Sequence, residues 1–181
     1  ATKSISDGKK VDKLIYAVFD ENGTRISSIK AVEKTDVTFP DTVTLTLAKG
    51  QTYKVAFWAQ DNDCQAYTVD TTVTMNVAVS YDNALNNDET RDAFFKTVEF
   101  TVTGSTSIDV EMKRPFAQIN VGVTKEDWEA AVASGIEIKN SSVVIKNAAT
   151  SLNLIDGTVG TETVDVSYAF NTIPNEPLCV D

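Results

Sequence analysis

Val, Thr and Ile number 22, 23 and 11 in this chain against 7 Leu, and no other feature limits the fold as much. β-Branched side chains are stiff at χ1 and suit a pleated surface better than a helix, so the sequence predicts a mostly β protein. At 181 residues, folding removes about 70% of the unfolded chain's surface from water, enough for a core without metal or disulfide staples.

Alternation places the strands. A first strand over 11–19 carries Leu14, Tyr16 and Val18 on one face and Ile15, Ala17 and Phe19 on the other, so both faces require cover. Asn22-Gly23 predicts a type I′ turn, with 24–33 returning as the hairpin partner. Val43, Leu45 and Leu47 alternate, Lys49-Gly50 turns the chain, and Tyr53, Val55, Phe57 and Ala59 share a face of the next strand, which predicts a second hairpin. After a loop at Asp61-Asn62-Asp63-Cys64, the 72–79 stretch puts Val73, Met75, Val77 and Val79 on one side. The 81–95 stretch breaks the alternation, and Asn86-Asn87-Asp88 leads into a short helical turn that inserts Phe94 or Phe95 as a plug.

Val98, Phe100 and Val102 alternate next, Gly104-Ser105 turns, and Ile108, Val110 and Met112 run back towards Pro115. Proline interrupts that ladder, and the strand resumes through Ile119, Val121 and Val123. Thr124 with Asp127 forms a capping box that opens a short helix to Ser134, with Gly135 just past its end and Trp128, Ala131 and Val132 facing inward. Strand-like pieces at 136–145, 152–155 and 164–170 complete the pattern. Short strands with tight turns and no crossover helices predict an all-β antiparallel sandwich with one short α-helix. Residues 1–10 are a small, polar, flexible lead-in, 11–173 form the sandwich domain, and the Pro-rich 174–181 reads as the start of a second domain.

The chain has no histidine, which removes the usual Ser-His-Asp and Cys-His arrangements, imidazole metal sites and the commonest general base. Its 16 basic residues are scattered among 26 acidic ones, so no positive stripe exists to hold a nucleic acid. No apolar run is long enough to span a membrane and no signal-peptide pattern is present, as expected of a soluble segment whose export signal has been removed. Asp61 and Asp63, and the cluster Asp88, Glu89 and Asp92, are hard-oxygen Ca²⁺ candidates, but both lack the rest of an EF-hand loop and read as solvated loop charge. Neither Gly157-Thr158-Val159-Gly160 nor Gly8-Lys9-Lys10 meets the context of a nucleotide-binding loop, and both read as turns. The sequence therefore assigns no catalytic residue, metal or cofactor. Cys64 and Cys179 are either a disulfide or two partly buried thiols. Trp58, on the second side of its sheet, is the candidate glycan contact and Trp128 reads as core, with core the favoured reading for the pair.

Four segments in order carry a family likeness: Lys13-Leu14-Ile15-Tyr16-Ala17-Val18-Phe19-Asp20 followed by Asn22-Gly23; Tyr53-Lys54-Val55-Ala56-Phe57-Trp58-Ala59-Gln60; Asp92-Ala93-Phe94-Phe95; and Met112-Lys113-Arg114-Pro115-Phe116-Ala117-Gln118-Ile119-Asn120-Val121. Together they resemble the N-terminal domain of fimbrillin-like proteins from Bacteroides and relatives, the major-fimbrium or type V pilin superfamily. The resemblance implies a transthyretin-like Greek-key β-sandwich, exported as a lipoprotein to the outer membrane and assembled into fimbriae at the cell surface. It also implies that a protease specific for basic residues removes an N-terminal strand and that the vacated groove accepts a strand from the next subunit. A lipid anchor would belong only to the precursor. O-glycosylation at Thr42 and Thr71, in their Asp-Thr-Val and Asp-Thr-Thr triplets, is a further implication.

The expectation is a non-enzymatic fimbrial subunit supporting adhesion, whose partners are other subunits and a host or bacterial surface ligand. Leu14, Tyr16, Val18, Val55, Phe57, Phe100, Val110, Ile119 and Val121 are expected to form its interior. The alternatives are a glycan-binding adhesin module and, third, a carboxylate-based hydrolase with paired acids in a cleft.

Overall fold

A computed structural model describes residues 7–85, 88–117, 119, 123–137 and 140–170. The fold is all-β and antiparallel with one helix. The strands are β1 (Lys13–Asp20), β2 (Val32–Lys34), β3 (Thr52–Gln60), β4 (Tyr67–Asp70), β5 (Asn76–Val79), β6 (Ala93–Thr101), β7 (Ser141–Ala149), β8 (Ser151–Asn153) and β9 (Thr163–Phe170). The helix, α1, spans Lys125–Ala133, and a single 3₁₀ turn at Glu89–Arg91 precedes β6. The main sheet has the order β2-β1-β3-β6, a second has β4-β5-β8, and β7 pairs with β9 in a ribbon that runs through Thr150 into β8.

β1 and β3 form the centre because both faces of each are apolar. Towards the second sheet, Ile15, Ala17, Phe19, Ala56 and Trp58 pack against Met75, Val77, Leu152 and Leu154. On the opposite face, Leu14, Tyr16, Val18, Tyr53, Val55, Phe57 and Ala59 form a second core. Two covers are therefore needed. Of the expected interior set, Leu14, Tyr16, Val18, Val55 and Phe57 are buried, while Phe100 and Val110 are half-buried against the second core.

Several elements differ from the sequence expectation. The turn after β1 has positive φ only at Gly23 (81°), so it is not type I′. The Asp20 carboxylate accepts the Asn22 and Thr24 N–H groups and holds the turn instead. The return segment meets β1 only at Arg25 and in β2, because the Arg25 guanidinium, donating to the carbonyls of Val18, Ile26, Ile29 and Thr71, draws the chain between them into a loop. The second predicted hairpin is not formed: β3 lies between β1 and β6, and segment 43–47 crosses over the second core. Ile108, Val110 and Met112 likewise do not ladder with β6, since Val110 and Met112 fold onto that core.

Phe94 and Phe95 are no plug. They open β6 and lie on its opposite faces, Phe94 on the second core and Phe95 on the first. Val73 is 73% exposed because strand pairing begins only at Asn76. Ile119 is 63% exposed and Val123 also faces solvent, so the strand expected after Pro115 does not bury them; Val121 lies outside the described residues. Cys179 and segment 174–181 lie outside them too, as does most of the 1–10 lead-in.

α1 starts and stops as its sequence dictates. The Thr124 hydroxyl accepts the Asp127 N–H, and Gly135 (φ 74°) closes a C-terminal motif in which the Ile136 N–H reaches the Ala131 carbonyl. Its expected inward side is not buried: the helix has no buried residue, Trp128 is half-buried and Val132 is exposed. Caps act locally, whereas burial needs a neighbour.

Phe57→Ala removes a large side chain from the second core and is expected to cost about 3–5 kcal/mol, whereas exposed Val73→Ala stays within about 0.5 kcal/mol of the parent. Urea denaturation of the two variants checks this, and equal midpoints would contradict the core assignment.

Candidate functional site

The two faces of the main sheet are covered in different ways. The first is closed by a hydrogen-bonded sheet with Met75, Val77 and Leu154 essentially inaccessible to solvent. The second is covered by loop 26–37 and by segments 43–47 and 102–112, whose apolar side chains packed on it are only half-buried, with Ile108 left exposed. Val43, Leu45 and Leu47 point down at period two while Thr42, Thr44 and Thr46 face solvent. Among the described residues, no backbone hydrogen bond joins 38–47 or 103–112 to a strand. Both segments are straps with the spacing of strands but, among the described residues, no ladder.

Each strap is tied at its ends. The first runs from the Val37 N–H, donating to the Asp12 carbonyl, to the Ala48 N–H, donating to Tyr53 Oη. The second begins at Val102, which exchanges backbone bonds with Gly50 and Gln51, and ends at Lys113, which exchanges bonds of 2.9 and 3.0 Å with Phe95. Arg114 then clasps Asp92 through two hydrogen bonds of 2.7 and 2.8 Å, its guanidinium 4.7 Å above the Phe94 ring. That pairing raises the guanidinium pKa further, first through the Asp92 hydrogen bond.

The Phe95–Lys113 bridge also shows which edge of β6 is open. In an antiparallel strand alternate residues direct their backbone groups to the same side, so Thr97, Glu99 and Thr101 share the outward edge with Phe95. Among the described residues that edge has no backbone partner beyond Phe95. An exposed row of backbone donors and acceptors beside a half-covered apolar face is a template for an extended peptide.

Trp58 is not a surface contact. It is fully buried because its parity on β3 directs it to the second sheet, where its indole N–H donates to Gln60 Oε1 at 2.9 Å and Tyr67 meets it edge-on at 5.3 Å. Gln60 in turn donates to the carbonyls of Asp61 and Cys64, so this buried polar pair is satisfied. Phe116, beside Trp58, is exposed and stacks on Tyr67 at 5.6 Å. Burial raises the Tyr67 phenol and the Cys64 thiol above their ordinary values.

The acidic candidates serve local structure. Asp61 accepts the Asp63 N–H, Asp88 caps the 3₁₀ turn, and Asp92 holds Arg114. Thr42 is exposed, whereas Thr71 is half-buried and its carbonyl holds Arg25.

Two shallow depressions open elsewhere. One, about 370 Å³, lies on the solvent face of β4-β5-β8, with the polar side chains of Asp70, Asn76 and Asn153 and the apolar Ala78 and Val159 among its lining. The other, about 420 Å³, lies between the 79–84 loop and β9 and includes Asp82 and Asp165, the latter accepting the Asn147 N–H. No described helix is long and apolar enough to cross a membrane.

Fold and site together define a β-sandwich domain with one sheet face sealed and the other strapped. The chain belongs to DUF6562, a family of unknown function, whose model matches residues 1–177. No curated protein matches it. Among solved structures it is similar to a DUF1812 protein of Bacteroides thetaiotaomicron that carries a provisional polysaccharide-binding label, with a TM-score of 0.55 and 12% identity. The match covers 87% of this chain and 56% of that one, so the chain spans little more than half its neighbour's length. At that identity the likeness establishes the fold alone.

The Asp92 side chain is 6% exposed, so removing its partner leaves a buried carboxylate poorly compensated. Arg114→Ala is expected to lower stability by about 1–3 kcal/mol, with Arg114→Lys recovering part of the loss. Chemical denaturation of both variants tests the clasp, and an Arg114→Ala midpoint equal to the parent's would refute its role.

Proposed function

We propose that this chain is a non-catalytic structural subunit of a cell-surface fimbria, joined to its neighbours by strand addition. One observation supports the reading: an apolar sheet face covered by two straps that, among the described residues, form no ladder, next to a strand edge with no described backbone partner beyond Phe95. An incoming extended segment gains main-chain hydrogen bonds along the edge and buries alternate side chains against the half-covered core. Strand donation from head to tail does not close on itself, so it propagates into a filament. The four fimbrillin-like segments support the same reading, three of them being β1, β3 and the start of β6. In this reading the partners are other subunits and a surface ligand, the location is the outer membrane and fimbria, and the precursor alone bears a lipid.

A second reading, glycan binding, is favoured by the depression on β4-β5-β8, with its mixed polar and apolar lining, and by the polysaccharide-binding label of the Bacteroides thetaiotaomicron neighbour. It does not involve Trp58, which is buried.

Electron microscopy of the secreted full-length protein, before and after digestion with a trypsin-like protease, tests the first reading. Filaments are expected only after cleavage. A protein that stays monomeric under both conditions contradicts strand-addition assembly.

A further inference from the structure

The outer face of the second sheet carries a pattern that is visible only once its register is known. Asp70 pairs with Asn76 and Asn76 with Asn153, so a carboxylate and two carboxamides form one row across β4, β5 and β8. The adjacent row is Thr68, Ala78 and Ser151, two hydroxyls on either side of a methyl group. All six line the 370 Å³ depression, and the small Ala78 in mid-sheet gives it a floor. Directly behind, Met75 and Val77 are wholly buried and Leu152 nearly so, which makes that floor part of a packed layer.

The row is held in place. Asn76 donates to Thr74 Oγ1 at 2.7 Å, and Asn153 Oδ1 accepts the Ile155 N–H at 2.8 Å. Asp70 Oδ1 accepts both the N–H and the hydroxyl of Thr72. Each group thus spends one hydrogen bond on its own orientation, or two at Asp70, and keeps others for a ligand: Asp70 Oδ2, the Asn76 carbonyl oxygen and the Asn153 amide hydrogens. One wall is the 158–160 segment, brought close by the Gly160 N–H bond to the Ser151 carbonyl; a side chain at Gly160 would collide with the Ser151 hydroxyl. Val159, 65% exposed, adds an apolar surface to that wall.

We propose that this groove binds a neutral saccharide. Acceptors and donors in one row suit adjacent sugar hydroxyls, and Val159 suits the C–H face of a ring. Three strands spaced by about 4.8 Å give a row about 10 Å across, the length of about two sugar units. Asp70, on a chain of net charge −10, disfavours uronic or sialic acids. The inference rests on the second functional reading, to which it assigns residues.

The test is NMR titration of the isotope-labelled full chain with a panel of neutral hexose and N-acetylhexosamine oligosaccharides and matched uronate-containing ones. Neutral members are expected to shift amides of 68–70, 76–78 and 151–160, and uronates to bind more weakly. Asn76→Ala and Ala78→Phe, both on exposed positions, are expected to weaken binding at least about tenfold while thermal melts stay close to the parent's. Full binding retained in both variants overturns the groove but leaves glycan binding standing, and silence across the panel overturns both. Equal binding of neutral and uronate members, lost in the variants, overturns the selectivity.

Discussion

β3 is the constraint on which the rest of the structure depends. It sits between β1 and β6 with Ala56 and Trp58 on one face and Tyr53, Val55, Phe57 and Ala59 on the other, nearly all out of contact with water. Burying such side chains contributes about 1.5–3 kcal/mol for each large one, and that stabilisation requires a second layer on both sides. One layer is a sheet whose backbone groups pair with one another. The other consists of straps that bring alternate apolar residues but, among the described residues, make no ladder of their own.

This asymmetry separates the molecule's two proposed working surfaces. Among the described residues the strapped face has no ladder, and the proposed strand addition would supply one. The sealed side is backed by Met75, Val77 and Leu152, so its outer surface is rigid enough to hold a fixed row of polar groups. Where polar atoms enter the interior they are paired: Trp58 with Gln60, and Gln60 with two carbonyls. A satisfied pair costs little inside a core, whereas a lone one would be expensive.

Much of the fold was legible in the sequence where local pattern decides. β1, β3 and the 98–101 half of β6 follow from their apolar pattern, and α1 from its Thr124 cap and Gly135, whereas the start of β6 at Phe94 and Phe95 does not. Pairing was less legible, because alternation says that a segment is extended but not which neighbour it meets. Thus 43–47 and 108–112 have strand periodicity and still lie as straps, since their apolar residues are satisfied by the core without a ladder. Trp58 shows the same limit: its period placed it opposite Phe57, but whether that side was open or covered depended on β5 and β8, which lie far along the chain. The Asp70, Asn76 and Asn153 row had no signal in the sequence, because it exists only through the register of three strands. Ile119 and Val132 were misplaced because an apolar residue in a plausible pattern is buried only if something packs on it.

The most direct test is native-state hydrogen exchange resolved residue by residue. The account predicts that amides of 53–59 in β3 exchange only through global unfolding, while those of 43–47 and 103–112 exchange orders of magnitude faster, at the rate of unpaired backbone. Protection in the straps equal to that of β3 would mean that the second face is sealed by a ladder of the chain's own, and would contradict it.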